Sequence, residues 1–230
     1  LSEFGRVAML ERESQPGYHS TGRSAATYEP SYGPEKVRPM ILASWDFLNS
    51  PPAGFADAPL LKPRGSLVLF RQGEDGEREA HIEILKSINA EFENLDFEGA
   101  LKYVPILNPD YTALALFTDA PMDMDVDAIH QGYIRTMKAN DGVLFVNAEV
   151  KDISRSDDWC VETPAGTFKA PIIVNAAGAW ADVIAEISGV KPVGLQPKRR
   201  SAMLVKVPDE CGDISSWPLT SGENPDFYFK

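Results

Sequence analysis

Residues 7–26 read VAMLERESQPGYHSTGRSAA. Residues 7–10 are a short apolar run that ends in Glu11, the pattern of a strand, and residues 1–5, LSEFG, read as the last turn of a helix closed by a glycine. An acid at the end of the second strand is the position from which a dinucleotide-binding (Rossmann) unit holds a ribose hydroxyl. In this reading the glycine-rich turn that sets a pyrophosphate on a helix N-terminus belongs about twenty residues upstream, before residue 1. The stretch is then the second half of a nucleotide-binding unit.

The 230 residues are 43% hydrophobic, enough to bury a sizeable core in one large domain or two interleaved ones. A formal net charge of -12, from 34 acids against 22 Lys and Arg, argues against a nucleic-acid partner, whose backbone needs clustered cations. A small anionic ligand needs only a few well-placed cations or helix N-termini and stays allowed. Two cysteines, Cys160 and Cys211, are too few for a disulfide framework or a four-ligand zinc site and point to a reducing, cytoplasmic compartment. Cys160 alternates with Trp159 and Val161 and reads as packing. No run approaches the roughly 20 apolar residues of a membrane helix.

Further along, residues 34–49 read as a helix ended by Pro51 and Pro52, residues 67–70 as a strand, and residues 77–89 as an amphipathic helix with Ile82, Leu85 and Ile88 inward. Residues 113–117 are a strand. Residues 123–137 are a helix with acids in its first turn, and residues 143–150 are a strand. Residues 159–163 and 167–169 form a hairpin through the turn 164–166. The continuous apolar run 172–175 is the pattern of a buried parallel strand, and it turns through residues 176–178 into a helix over 180–188. From Leu195 onward the sequence reads β-rich.

The segments VAMLERE, GYHSTGRSAA, DVDAIHQGYIR, NAEVKDI, IIVNAAGAWADVIA and GLQPKRRSAMLV together resemble the FAD-dependent amino-acid oxidoreductases of the D-amino-acid oxidase and glycine oxidase type, and among them the bacterial D-amino-acid dehydrogenases. They occur in the family's order across nearly the whole chain. The resemblance implies an α/β fold, a Rossmann-type FAD-binding domain interleaved with a mixed-sheet substrate domain. Residues 1–60 and 123–194 would form the FAD part, and residues 61–122 and 195–230 the substrate part. It also implies a chain that covers the middle of such an enzyme.

Under this resemblance Glu11, with Arg12 beside it, holds the adenosine ribose, since a carboxylate only accepts hydrogen bonds and rejects a 2′-phosphate. By itself the position equally suits a solvent-exposed acid. Ser20, Thr21, Gly22, Arg23, Ser24 and Ala25 make a small, hydroxylic loop with one cation, which the resemblance runs beneath the flavin; as a bare pattern it is a turn feeding a helix. His19 takes a packing or loop-fixing role. Val150, at a strand end, is placed at a backbone contact to adenine. Ala176, Ala177 and Gly178 let the backbone approach FAD with Trp180 covering the turn, although tight strand-to-helix packing accounts for the same residues.

Arg199 and Arg200, in QPKRRSA, stand at the edge of the substrate chamber, and Arg200 is the better candidate to clamp a carboxylate with its planar fork; a KRR run also suits a solvated face. Tyr228, alternating with Phe227 and Phe229, aims its hydroxyl at the same carboxylate or packs in a core. Tyr32, in EPSYGP, acts as a lid. Two positions depart from relatives that take basic D-amino acids. Thr27 stands where they carry a histidine, and Ser66 where they carry an acid. A site without that carboxylate holds a guanidinium or ammonium side chain less well.

The reaction the resemblance implies is oxidation of a small-molecule amino acid, of D configuration by resemblance alone, to its imino acid, with hydride passing to the flavin. The other readings are a related flavoenzyme for a 2-hydroxy acid or N-methyl amino acid, a flavin-binding protein without turnover, and an NAD-binding enzyme, which the same ribose acid permits. The electron acceptor is left open.

Overall fold

The apolar run at the start does become a strand, Ala8–Leu10, and it pairs in parallel with Val143–Phe145, Ala8 opposite Val143 and Leu10 opposite Phe145. Parallel neighbours need a crossover. The connection ends in the helix Val126–Ala139, which buries Gly132, Ile134 and Met137, and turns through Asp141 and Gly142 back into the partner strand. A Cβ on Gly142 would lie 2.5 Å from the Met137 side chain, so only glycine fits this turn. The computed structural model describes residues 1–199, 201–224 and 227–230. They form two compact units, residues 1–24 with 126–204 and residues 25–125 with 205–230. Residues 25–60 thus group with residues 61–125.

In the first unit the antiparallel strands Asp152–Arg155, Trp159–Thr163 and Gly166–Ala170 extend the expected hairpin by one strand. Phe168 packs edge-on to Phe145 at 4.7 Å. The helix Ala181–Ile187 follows a 3₁₀ turn over Gly178–Trp180. Residues 1–5 make a single turn, with Phe4 N–H donating to Leu1 O. Two expectations are corrected here. The strand after Gly142 stops at Phe145, so Val150 lies in irregular backbone. Residues 172–175 form no strand, and Ile172 and Val174 are 74% and 62% exposed, because no strand among the described residues offers them a backbone partner.

The second unit is built on a five-stranded mixed sheet in the order Tyr228–Phe229, Leu219–Gly222, Ser66–Phe70, Leu114–Thr118, Glu93–Asp96. Every residue of Ser66–Phe70 is buried, as a central strand requires. On one face Leu67, Leu69 and Ala115 pack with Ala100, Val104, Leu107 and Trp217. On the other, Val68, Phe70 and Leu116 meet Ile82 of the helix Asp75–Ser87. Ile88, expected inward, caps that helix.

A smaller antiparallel sheet joins Thr27–Tyr28, Met122–Met124 and Leu61–Pro63. Residues 122–124 are therefore strand, and the helix expected from 123 starts at Val126. The helix expected over 34–49 is two, Arg38–Ala43 and Trp45–Asn49, broken where Ser44 Oγ donates to Ile41 O at 2.7 Å. Among the described residues beyond Leu195 the backbone is irregular up to the short turn at Asp209–Cys211, and the β-rich stretch begins only at Leu219. No helix among the described residues is long and apolar enough to cross a membrane.

An ion cluster ties the two sheets of this unit together. Arg64 donates through Nε to Asp123 Oδ2 at 2.7 Å and through Nη1 to the carbonyls of Ser215 and Trp217 at 3.1 and 2.9 Å. Lys230 Nζ donates to Asp123 Oδ1 at 2.8 Å. Burial works to raise the Asp123 carboxyl, but the hydrogen bonds and charges of Arg64 and Lys230 prevail and hold it below its usual range. Its contribution to stability is therefore present above the unfolded carboxylate pKa of about 4 and is lost as pH falls through the lower folded value. In the full-length protein Asp123→Ala should cost about 2 kcal/mol in urea unfolding at pH 7, leaving two cations unpaired, and the gap from wild type should narrow below about pH 3.

Candidate functional site: a cofactor loop and a hydroxylic sheet face

In the first unit Glu11 directly follows the Ala8–Leu10 strand, its N–H donating to Phe145 O at 2.8 Å. Its Oε1 accepts the Glu13 N–H at 2.9 Å, which orients the carboxylate and leaves acceptor capacity for a ribose diol. Arg12 lies 4.4 Å over the Trp180 ring and pairs with Glu13 at 3.1 Å. His19 sets Nε2 2.8 Å from Glu13 Oε1 and its ring 4.7 Å from that of Trp180. The hydrogen bonds from His19 and then Arg12 hold the Glu13 carboxyl below its usual range. Residues 11–19 are thereby fastened to the turn at Gly178–Trp180, which brings two expected cofactor segments together. His19 has the loop-fixing role expected of it.

The loop that follows is closed by backbone. Gly22 N–H donates to Gly17 O at 2.8 Å, and a Cβ on Gly22 would stand 2.5 Å from that oxygen. Ser20, Thr21, Gly22, Arg23 and Ser24 are all at or near the surface, with Arg23 lying 4.5 Å over Tyr18. Ala176, Ala177 and Gly178 follow Asn175, whose Nδ2 donates to Ala181 O and whose Oδ1 accepts the Ala177 N–H. Gly178 has φ +55° with open space where a Cβ would be, so the backbone there is bare to an approaching ligand. Val150 is half-buried in the same unit. An acceptor-only carboxylate, a hydroxylic loop with a cation and an unobstructed small-residue turn are the chemistry an adenine dinucleotide asks for, and the residues present fit FAD. A separate apolar hollow of 270 Å³ in this unit is lined by Trp159, Ile172, Ile184 and Val190 and meets the residues above only at Asn175.

The second unit carries the remaining candidates. Tyr228 pairs with Ser221, which pairs with Val68, so Tyr228 shares the face of Ser66, Val68 and Ser221, while Phe227 and Phe229 pack into the opposite core. Tyr228 is 45% exposed. Ser66, opposite Leu219 and Thr118, is buried, and Thr27 Oγ1 donates to Ala25 O at 3.1 Å. Ala25 itself is half-buried and belongs to this unit. Tyr32 is 60% exposed on the loop after Tyr28. Arg199 is exposed in irregular backbone. Arg200 lies outside the described residues.

Several ordering residues had no local signature in the sequence. Glu13 and Asp123 act through partners 6 and 59 residues away. Asp182 accepts the N–H groups of Val193, Gly194 and Leu195 at 3.0, 2.8 and 2.7 Å and so holds the chain just before Arg199. Only the acid-rich ERE after the first strand hinted at Glu13.

The mixed α/β architecture, with a loop whose residues fit an adenine dinucleotide, is the architecture of a dinucleotide-binding class of fold. The profile of the FAD dependent oxidoreductase (DAO) family matches residues 1–230, and the chain belongs to that family. FAD is the family's cofactor. Among solved structures it is similar to glycine oxidase from Geobacillus kaustophilus, with 20% identity and a TM-score of 0.71 over 82% of this chain and 53% of that one. It is similar to L-proline dehydrogenase from P. horikoshii, with 20% identity and a TM-score of 0.73 over 96% and 58%. FAD-bound L-alpha-glycerophosphate oxidase from Mycoplasma pneumoniae matches at 19% identity and a TM-score of 0.69 over 80% and 50%. The chain thus spans between half and three-fifths of the length of these structures.

Gly22→Ala should force Gly17 and Gly22 apart, and in the full-length protein FAD affinity, read by flavin fluorescence during titration of the apoprotein, should fall by about tenfold or more.

Proposed function

We propose that this chain belongs to an enzyme that oxidises an amino acid, D-configured, to its imino acid. The first unit is the FAD part and the second the amino-acid part. When bound, FAD supplies the hydride acceptor. Glu11 and Arg12 hold the adenosine end. The loop of Ser20, Thr21, Gly22, Arg23, Ser24 and Ala25 runs along the cofactor, and Val150, Ala176, Ala177, Gly178 and Trp180 complete its bed. Arg200 takes the substrate carboxylate through a bidentate fork, Tyr228 donates its hydroxyl to the same group, and Tyr32 excludes water over them.

The observation that carries this reading is the register of Tyr228: the two phenylalanines beside it are anchored in the core, so its phenol is presented on a sheet face rather than buried. The chemistry of that face also narrows the substrate. Ser66 and Ser221 are neutral and hydroxylic, Thr27 is likewise uncharged, and the carboxylate at the end of the Ser221 strand, Glu223, is already paired with His81, so a cationic side chain gains little here. A neutral amino-acid side chain fits it better than that of arginine or lysine. Two of the similar proteins are a glycine oxidase and an L-proline dehydrogenase, which supports an amino acid as the reductant.

The test is the visible spectrum of the full-length protein, purified without added cofactor and then mixed anaerobically with a panel of D- and L-amino acids, sarcosine and 2-hydroxy acids. A bound flavin bleached fastest by neutral D-amino acids is the expected result. Bleaching by hydroxy acids or sarcosine alone would replace the substrate class, bleaching by L-amino acids the configuration, and absence of flavin would sink the assignment. Tyr228→Phe should raise KM for the best substrate by about tenfold, the worth of one hydrogen bond to a carboxylate.

A further inference from the structure

His130 stands on the helix Val126–Ala139, four residues before Ile134 and seven before Met137. Both of these are buried, so His130 continues the inward stripe of the helix by one more turn. The helix also lies against the 3₁₀ turn Thr21–Arg23. His130 is half-buried, and the Nδ1–Cε1–Nε2 side of its ring is turned to Gly17. A Cβ placed on Gly17 would lie 3.0 Å from Cε1, 3.3 Å from Nδ1 and 3.6 Å from Nε2. Gly17 also has φ +78°, a conformation that residues with a side chain rarely adopt. The backbone and the ring therefore both demand glycine there.

Gly17 is the hinge of the loop that follows it. Its carbonyl accepts the Gly22 N–H at 2.8 Å, the one bond that closes residues 17–22 on themselves. The imidazole thus backs the residue whose oxygen holds the loop shut. Two residues further on, His19 is fixed to Glu13 at 2.8 Å and packs against Trp180, so the hinge is held on that side as well. Residues 20–24 are exposed, and a loop with so little burial owes its order to what holds its ends. An imidazole suits the task, because it reaches Gly17 with only two side-chain torsions to be fixed.

We propose that His130 is a positioning residue for the cofactor loop. Its ring, carried on the helix that leads into Val143–Phe145, sets Gly17 and, through the Gly17–Gly22 hydrogen bond, the course of residues 20–24. The consequence for FAD rests on the reading, given above, that this loop runs along the cofactor. The role is mechanical: the ring fills the space behind the hinge and keeps the loop in one arrangement before the cofactor arrives.

The experiment uses the full-length flavoprotein at saturating FAD, so that occupancy is equal in every variant, and reads hydrogen exchange in a peptide spanning residues 15–25. A peptide spanning residues 152–163, from the strands Asp152–Arg155 and Trp159–Thr163, is the control for general loosening. His130→Ala should speed exchange in the loop peptide by about tenfold and leave the control within about twofold. His130→Gln reaches as far but turns about one more bond, so it should fall between His130→Ala and wild type. Gly17→Ala should also speed loop exchange. The double variant should fall short of the product of the two accelerations, because the ring that the new Cβ meets is gone. FAD affinity, read by titrating the apoprotein, should fall by about tenfold in His130→Ala. Wild-type exchange in the loop peptide of His130→Ala overturns the proposal, as do equal acceleration of both peptides and a double variant that matches the product. Faster loop exchange with FAD affinity unchanged supports the positioning role and removes the loop from the cofactor, so the two readings fail separately. Should His130→Ala not fold, His130→Gln decides by the same two peptides, an unchanged loop rate again overturning the proposal.

Discussion

The three-residue parallel ladder between Ala8–Leu10 and Val143–Phe145 is the constraint on which the first unit depends. It seals a crossover of more than 130 residues, aligns Glu11 with the end of its strand, and lets the helix Val126–Ala139 return the chain to the same sheet. Backbone pairing supplies the geometry, and side chains then use it. Glu11 is oriented by Glu13, Glu13 by His19 and Arg12, and both of these by Trp180. Such a chain of contacts converts strand register into the placement of a loop with no regular structure of its own.

The second unit reaches the same end by charge. Asp123 sits in the middle of its short strand, paired across the sheet with Thr27 and Lys62, and takes one cation from the turn before Ser66 and another from the chain's last residue. The two carbonyls that accept from Arg64 add the 215–217 turn to the same knot. The strands bearing Thr27, Ser66 and Tyr228 therefore share one electrostatic junction. A fully satisfied cluster of this kind fixes geometry more than it adds net stability.

Elements whose partners lie in their own pattern were legible in the sequence. The continuous apolar run at Ser66–Phe70, the alternation of Phe227, Tyr228 and Phe229, and the helices centred on Ile82 and Ile134 all declare themselves by periodicity. Residues 172–175 show the limit, for an apolar run states what could be buried, and a strand also needs a neighbour's backbone. At residue 123 an acid near an apolar stripe resembles a helix N-terminus, yet Asp123 is used for a distant arginine and the backbone stays extended. Ser44 breaks a helix whose hydrophobic spacing runs on undisturbed, because a hydroxyl competing for a carbonyl is invisible to periodicity. For the candidate site, small residues and the acid at the end of the first strand were readable as a pattern, while His19 and Asp182 gain their contacts only from partners brought near by folding.

The interleaving has a consequence for synthesis. The chain passes between its two units at residues 24/25, 125/126 and 204/205, and neither unit is a contiguous segment. On a ribosome adding about 5–20 residues per second, the Ala8–Leu10 strand waits on the order of 10 s for Val143–Phe145 to be made. Over that interval it presents an open apolar edge, the kind of surface that holdase chaperones and neighbouring nascent chains recognise. Ser66–Phe70 has its antiparallel partner within about 50 residues and can begin a sheet first. The order of translation thus favours a nucleus in the second unit that forms while the first unit is still waiting for its second half.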